Sequence, residues 1–313
     1  MPIEQSHCLF CATAVNRGDQ QAARELDLPT GFRVMHCRGC GLRWLNPMPT
    51  AGEYRLMYEV LYFGGGKDSA IPDWMRQFPA LPYQDNALGL RRSAYQRRLA
   101  RLAKVFPGRG TLLDVGLASG EFAVMAQQDG WRVAGLDVSA RACELARAQG
   151  ISAWQGTLEE TDFSGSHFDV IHLSHVFEHF LDPLAALRVM RGLMQPDALL
   201  LIEVPNQFDS WVRRLARGAR RLGLLAPVAR SIWSIHHPYF YNRRTLTRLV
   251  LGAGFKLEWL HSHFPERWRS SLLRRTLGLV DLWADRLQGC GDDIELAVRI
   301  EPAIHESGAG ADG

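Results

Sequence analysis

The sequence predicts an α/β protein built on a doubly wound, mostly parallel sheet, preceded by a small four-cysteine unit. Three observations carry that expectation. From Thr111 onward, short apolar runs alternate with helix-period segments, the pattern of parallel strands joined by crossover helices. A small-residue turn, Asp114-Val115-Gly116-Leu117-Ala118-Ser119-Gly120, joins the first such strand to its helix. Two Cys-x-x-Cys pairs, Cys8/Cys11 and Cys37/Cys40, precede the α/β part.

The first unit spans residues 1–50. Each cysteine pair sits in a tight turn that aims two thiolates at one point, and two turns together make a tetrahedral sulfur site. Such a site suits structural zinc, with iron in a rubredoxin-like setting as the alternative. The segment is too small for a core of its own, so the metal would supply its folding energy. Cys143 and Cys290 read as incidental thiols.

Residues 51–108 read as an aromatic-rich cover with a short helix over Gly52–Leu61 and a lead-in helix over Arg91–Phe106. Tyr95, Leu99, Leu102 and Phe106 share one face of the lead-in helix. Arg91, Arg92, Arg97, Arg98 and Arg101 are assigned to its solvated remainder. Residues 109–300 form the main domain. Strands are expected at Thr111–Val115, Trp131–Leu136, Ile151–Trp154, Phe168–Leu173, Ala198–Glu203, Phe255–Leu260 and Ile294–Ile300. Helices are expected at Glu121–Gln128, Ala140–Gln149, Pro183–Met194 and Arg243–Leu251. The tail, 301–313, reads as disordered.

Composition narrows the function. With 36 basic and 33 acidic residues the formal charge is only +3, which gives no global field for nucleic acid. No apolar run reaches the roughly 20 residues needed to cross a bilayer, and no secretory signal opens the chain. A cytoplasmic protein is the expectation.

The turn after the first strand is the sharpest motif. Small residues at Gly116, Ala118 and Gly120 allow a ligand close to the backbone. Asp137 ends the second strand, placed to accept two ribose hydroxyls. The spacing is Gly-x-Ala-x-Gly, whereas a dinucleotide binder uses Gly-x-Gly-x-x-Gly with its pyrophosphate on the helix N-terminus. The carboxylate of Asp114 would repel a pyrophosphate and suits a cationic ligand. A nicotinamide dehydrogenase is therefore the weaker reading.

Residues 110–205 resemble the class I S-adenosylmethionine-dependent methyltransferases, especially the ubiquinone-biosynthesis O-methyltransferases. The shared features are the acidic-x-Gly-x-Gly-x-Gly turn, with Ala118 at the middle glycine, and Asp137. Gly156-Thr157-Leu158-Glu159-Glu160, His175-Val176-Phe177-Glu178-His179 followed by Asp182-Pro183, and Glu203-Val204-Pro205-Asn206 complete the match. The resemblance implies a Rossmann-like sheet of seven strands with the last antiparallel, and S-adenosylmethionine as cofactor. It implies a cofactor-binding set of Asp114, Val115, Gly116, Ala118, Gly120, Asp137, Val138, Thr157, Leu158 and Ser174.

For the acceptor end, His175, Glu178 and His179 are placed at the start of the helix after the fourth strand. In relatives that helix start supplies carboxylates to a divalent metal; the alternative here is a helix brace. A second resemblance, to sugar-nucleotide C-methyltransferases, includes the four-cysteine zinc domain. Aligned to their Tyr-His-Glu-His-x-x-Tyr-Phe segment, this chain reads Ser234-Ile235-His236-His237-Pro238-Tyr239-Phe240-Tyr241, with His237 on the catalytic histidine. His237, His179, His175 and Glu178 are thus the catalytic candidates.

The insertion at 207–240 should cover the acceptor. Arg213, Arg214, Arg217, Arg220, Arg221 and Arg230 interleave there with Trp211, Leu215, Leu222, Leu224, Leu225 and Trp233. These arginines suit an anionic acceptor, a membrane surface contacted through 211–233, or plain solvation. After the fourth strand the chain reads Leu173-Ser174-His175-Val176, not the Asp/Asn-Pro-Pro-aromatic motif of base-amino methyltransferases. The expectation is O-methylation of a sugar or secondary-metabolite hydroxyl on a small molecule or glycan precursor. Carbon methylation of a nucleotide-linked keto-sugar and a non-catalytic cofactor-binding scaffold are the alternatives.

Overall fold

The computed structural model describes residues 5–15, 18, 28, 30–57, 91–224, 233–263 and 291–301. The expected tail from 302 lies outside them, as do Cys290 and the second half of the expected Gly52–Leu61 helix. That helix, α1, is described over Ala51–Met57.

The core is a seven-stranded sheet. Its strands are β3 (Thr111–Val115), β4 (Arg132–Asp137), β5 (Ser152–Gln155), β6 (Phe168–Ser174), β7 (Met194–Pro205), β9 (Phe255–His263) and β10 (Asp293–Ile300). They lie in the order β5-β4-β3-β6-β7-β10-β9. The first five are mutually parallel, and β10 runs antiparallel to both of its neighbours. The chain order reverses between β3 and β6, so a crevice opens at the carboxyl ends of β3 and β6. Leu112, Leu113, Val170, Ile171 and Leu199 to Ile202 are fully buried. Strands covered on both faces read as such unbroken apolar runs. Each side chain taken from water contributes about 1.5–3 kcal/mol.

The helices follow their sequence signals. These are α2 (Arg92–Val105), α3 (Glu121–Gln128), α4 (Ala140–Ala148), α5 (Pro183–Leu193), α6 (Trp211–Arg221), α7 (Trp233–His236) and α8 (Arg243–Gly252). Ser139 caps α4 by accepting from the Ala142 amide, and Asp182 caps α5 by accepting from the Ala185 amide. Asn242 and Thr245 form a reciprocal capping box on α8. No helix among the described residues is long and apolar enough to cross a membrane.

Two local expectations are corrected. His175, Glu178 and His179 do not open a helix. His175 takes a left-handed φ of 55°, Phe177–His179 form one 3₁₀ turn, and α5 starts at Asp182-Pro183. Pro183 fits the first helical turn and Asp182 supplies the cap, so the start falls there. Arg98 is not solvated either. It is 1% exposed, on the face that buries Leu99 and Leu102.

The cysteine segment forms β1 (Arg33–His36) and β2 (Arg43–Asn46), an antiparallel hairpin. Its second strand also pairs with β8 (Tyr239–Phe240), through Arg43↔Phe240 and Trp44↔Tyr239. Cys8, Cys37, Cys40, Leu42 and Trp44 share one apolar cluster with Phe177, Tyr239 and Tyr241. The hairpin therefore buttresses both segments that carry the candidate catalytic histidines.

Candidate active site at the carboxyl edge of the sheet

The turn after β3 is built on backbone geometry that few residues accept. Gly116, Ala118 and Gly120 all have positive φ, at 82°, 51° and 76°. A Cβ on Gly116 would overlap the Val176 side chain, so glycine is required on both counts. Ala118 holds a left-handed conformation at a cost of about 1–2 kcal/mol. Asp137 helps to hold it: Oδ2 accepts from the Ala118 amide at 2.9 Å and Oδ1 from the Ser139 amide at 2.8 Å. Burial raises the Asp137 pKa. Each of its oxygens keeps a second lone pair for a ligand hydroxyl.

The expected cofactor residues gather around this turn. Val138, exposed, and Thr157 line a shallow hollow of about 280 Å³ with Arg55, Gln155, Gly156 and Glu160, at the ends of β4 and β5. Leu158 is buried beneath it. Val115 is buried at the end of β3. Asp114 is also buried, and its Oδ1 accepts from Nδ1 of His172 at 2.7 Å. His172 in turn receives Arg98 Nη1 at its Nε2, 2.8 Å away, and stacks on Phe122 with ring centroids 3.6 Å apart.

Arg98 is the centre of a network that periodicity alone did not place. Its Nη2 lies 3.0 Å from Glu203 and 2.8 Å from Glu295, and its Nε donates to Glu295 at 2.9 Å. Arg101 meets the other Glu295 oxygen at 2.6 Å, and His263 Nε2 lies 3.0 Å from Glu203. Ser174 donates to Glu203 and accepts from Arg91 Nη1 at 3.2 Å. Burial would raise the Glu203 carboxyl, but Arg98 and His263 outweigh it and hold it well below the usual range. The missed signal was positional: Arg98 falls between Tyr95 and Leu102 on the apolar stripe of its helix.

The candidate catalytic residues surround a different carboxylate. Glu178 is 1% exposed, and neither of its oxygens finds a hydrogen-bond partner among the described residues. Its Oε1 lies 3.6 Å from His175 Nδ1, 4.0 Å from His179 Nε2 and 4.0 Å from His237 Nε2. Burial drives the Glu178 pKa well above that of an ordinary carboxyl. Burial lowers the three neighbouring imidazoles His175, His179 and His236, His179 to about 4, which favours their neutral forms. All four sequence candidates therefore converge, and His236 joins them.

The cluster lies next to the glycine turn, because Val176 between His175 and Phe177 packs on Gly116. The His175 amide donates to the Glu203 carbonyl at 2.9 Å, and its Nε2 lies 3.7 Å from Asp293 Oδ1. The His175 side chain is 22% exposed, compared with 11% for His179 and 7% for His237. Burial, followed by Glu203, raises Asp293 to about 6. His263 and Asp293 were not expected from the sequence, and nothing in local spacing marks them.

The four cysteines come together as expected from their spacing. Their sulfurs lie within 4.8 Å of one another, with Cys8–Cys40 at 3.3 Å and Cys11–Cys37 at 3.5 Å. All are free thiols. Sulfurs about 2.3 Å from a tetrahedral ion stand about 3.8 Å apart, so the set fits a metal after small adjustments. The Thr13 hydroxyl beside Cys11 lowers its thiol to about 6, and burial raises Cys8 and Cys40.

Of the basic insertion, α6 is described, but the side chains of Trp211, Arg213, Arg221 and Trp233 and residues 225–232 lie outside the description. Arg214 pairs with Asp209 at 3.3 Å and Arg217 donates to the Phe208 carbonyl at 2.9 Å. Leu215, Leu222 and Leu224 are exposed.

Residues 88–259 match the profile of a family described as Methyltransferase domain. A ubiquinone biosynthesis O-methyltransferase of Xanthomonas axonopodis pv. citri is 22% identical over 175 residues, 54% of this chain and 72% of that protein. One from Histophilus somni is 32% identical over 112 residues, 32% of this chain. The chain spans 47% of that relative's length. Among solved structures, a SAM-dependent methyltransferase from Thermotoga maritima, described as a possible histamine N-methyltransferase, superposes with a TM-score of 0.49 at 19% identity. The superposition covers 69% of this chain and 94% of that one. With the family profile spanning more than half its length, the chain belongs to the S-adenosylmethionine-dependent methyltransferases of the methyltransferase-domain family.

Proposed function

We propose that the protein methylates a hydroxyl oxygen of a small molecule or glycan precursor. One observation carries this reading: the buried Glu178 carboxyl, ringed by His175, His179 and His237, follows closely on Val176, whose side chain packs on Gly116 of the glycine turn. A hydroxyl is a poor nucleophile until a base takes its proton, whereas an amine already carries a lone pair. A cluster of neutral imidazoles backed by a carboxylate suits the hydroxyl.

The turn from Gly116 to Gly120, with Asp114, Val115 and Ser174 around it, would hold the methionine part of S-adenosylmethionine. Asp137 would take the ribose hydroxyls, and Val138, Thr157 and Leu158 the adenine. Bound there, the cofactor supplies a methyl group on a cationic sulfur. His175, the most exposed imidazole of the three around Glu178, accepts the proton of the acceptor hydroxyl. The deprotonated oxygen would then take the methyl group, with the carbon–sulfur electron pair left on sulfur. Glu178, 3.6 Å from His175, faces the resulting imidazolium, and His179 and His237 flank it. Orientation of oxygen, methyl and sulfur in line supplies much of the remaining rate.

The cysteine site is read as structural zinc that fastens β2 to β8 and so supports the histidine segments. Arg214, Arg217 and Arg220 favour an anionic acceptor. The exposed Leu215, Leu222 and Leu224 beside them suit a peripheral contact with an anionic membrane surface. No nucleic acid is expected as substrate. The test is transfer of labelled methyl to a panel of sugar, sugar-nucleotide and phenolic acceptors. His175→Ala and His237→Ala should each lose transfer about a hundredfold or more while S-adenosylmethionine affinity stays within twofold. Undiminished transfer in both variants would remove this cluster from the reaction.

A further inference from the structure

We propose that His179, His236 and His237 form a second metal site, beside the Glu178 carboxyl, built for a first-row transition dication such as zinc. It is separate from the four cysteines and differs from the His175, Glu178 and His179 combination that adjacency in sequence suggests.

The first support is convergence. Ring nitrogens of the three histidines lie within 4.8 Å of one another. Their ring centroids are 4.3 Å apart for His179–His236 and 4.8 Å for His179–His237. The ligands come from two segments, the 3₁₀ turn after β6 and the end of α7, which the Tyr54 hydroxyl anchors through the Ile235 carbonyl at 2.9 Å.

The second support is tautomer. His179 Nδ1 donates to the His236 carbonyl at 2.8 Å, and His237 Nδ1 donates to Gln207 Oε1 at 2.9 Å. Each Nδ1 therefore carries the proton, and each Nε2 carries a lone pair. Both Nε2 atoms lie 4.0 Å from the same carboxylate oxygen, Glu178 Oε1. An outer hydrogen bond that fixes the tautomer and aims the ring is the usual support of a metal-bound imidazole.

The third support is the carboxylate. Glu178 is 1% exposed, and both oxygens are without a hydrogen bond among the described residues. Buried polar groups in that state are uncommon and costly. A dication on the three imidazoles would put a positive charge beside this carboxyl.

Ligands about 2.0–2.2 Å from a tetrahedral ion stand about 3.4 Å apart, so bringing the three ring nitrogens, now within 4.8 Å of one another, onto one ion needs side-chain movements of under about 1 Å. Three imidazoles with an open position suit zinc. They do not suit magnesium or calcium, which want oxygen ligands. His175 stays outside the set, because its Nε2 faces Asp293 and Glu203 at 3.7 and 3.9 Å. The ion's role, lowering the pKa of an acceptor hydroxyl next to His175, rests on the acceptor-site reading above. The existence of the site does not.

The test is metal content of the full chain by mass spectrometry, combined with the electronic spectrum after cobalt(II) substitution. Two ions per chain are expected in the wild type and in His175→Ala, and one in His236→Asn. In the cobalt form, sulfur-to-metal charge transfer from the cysteine site should persist in His236→Asn, while the weaker visible bands of a nitrogen–oxygen site vanish. If His236→Asn fails to fold, the same loss is read in His237→Gln. Stepwise cobalt titration of the wild type should show both classes of band in any case. A single ion per chain with sulfur-type bands alone would overturn the proposal. So would loss of the second ion in His175→Ala with retention in His236→Asn. Two ions bound without methyl transfer would count against the acceptor-site reading alone.

Discussion

Glu203 and Glu178 are both nearly inaccessible carboxylates at the same edge of the sheet, and their surroundings are opposite. Glu203 meets Arg98 at 3.0 Å and His263 at 3.0 Å and accepts from Ser174, and these partners hold it ionised. Glu178 has imidazoles at 3.6–4.0 Å, no hydrogen bond among the described residues, and a pKa driven upward by burial. A matched buried network fixes structure, since it joins α2 to β6, β7 and β10. An unmatched one keeps its chemistry available for something that binds. The difference supports a structural role for the first cluster and is the basis of the functional role proposed for the second.

Substitutions should break the comparison in opposite directions. Glu178→Gln should lower methyl transfer between about a hundredfold and ten-thousandfold, because the imidazolium loses its counter-charge. Its unfolding midpoint in the metal-free protein should not fall, since no hydrogen bond is lost; calorimetric melting checks this. Arg98→Met should do the reverse. It leaves Glu203 and Glu295 buried without their cation, which should cost about 3–5 kcal/mol in urea unfolding. S-adenosylmethionine affinity in the folded fraction should change little.

A smaller effect sharpens the boundary between the clusters. Asp293 has a folded pKa of about 6, raised from 3.8 by burial first and Glu203 second. A raised carboxyl contributes stability that is complete below its unfolded pKa and is lost as pH rises through about 6. Asp293→Asn should therefore be more stable than wild type above pH 6, by roughly 1–3 kcal/mol. The advantage should shrink towards pH 4. A pH-independent difference would mean that Asp293 does not titrate in that window.

The sheet was legible because buried parallel strands write continuous apolar runs, and the turn because positive φ selects glycine at 116 and 120. Strand and helix positions came within a few residues for the same reason. The cysteine pairs were legible through spacing alone. Other features were not local. Arg98 is one charge on an apolar stripe, and its partners Glu203 and Glu295 lie 105 and 197 residues away in sequence. His175 to His179 read as a helix start because that segment precedes α5, but the left-handed His175 delays the helix. Convergence of His236 and His237 on His179 depends on how the insertion folds back through β8, which no motif encodes.

The most direct test of the central claim is calorimetric titration of S-adenosylmethionine and S-adenosylhomocysteine into the wild type and Asp137→Ala. The account predicts one site per chain with micromolar affinity, weakened at least about a hundredfold in Asp137→Ala, where the hydrogen bonds to the Ala118 and Ser139 amides and the ribose acceptor are lost together. No binding by the metal-replete wild type, or equal binding by Asp137→Ala, would contradict it.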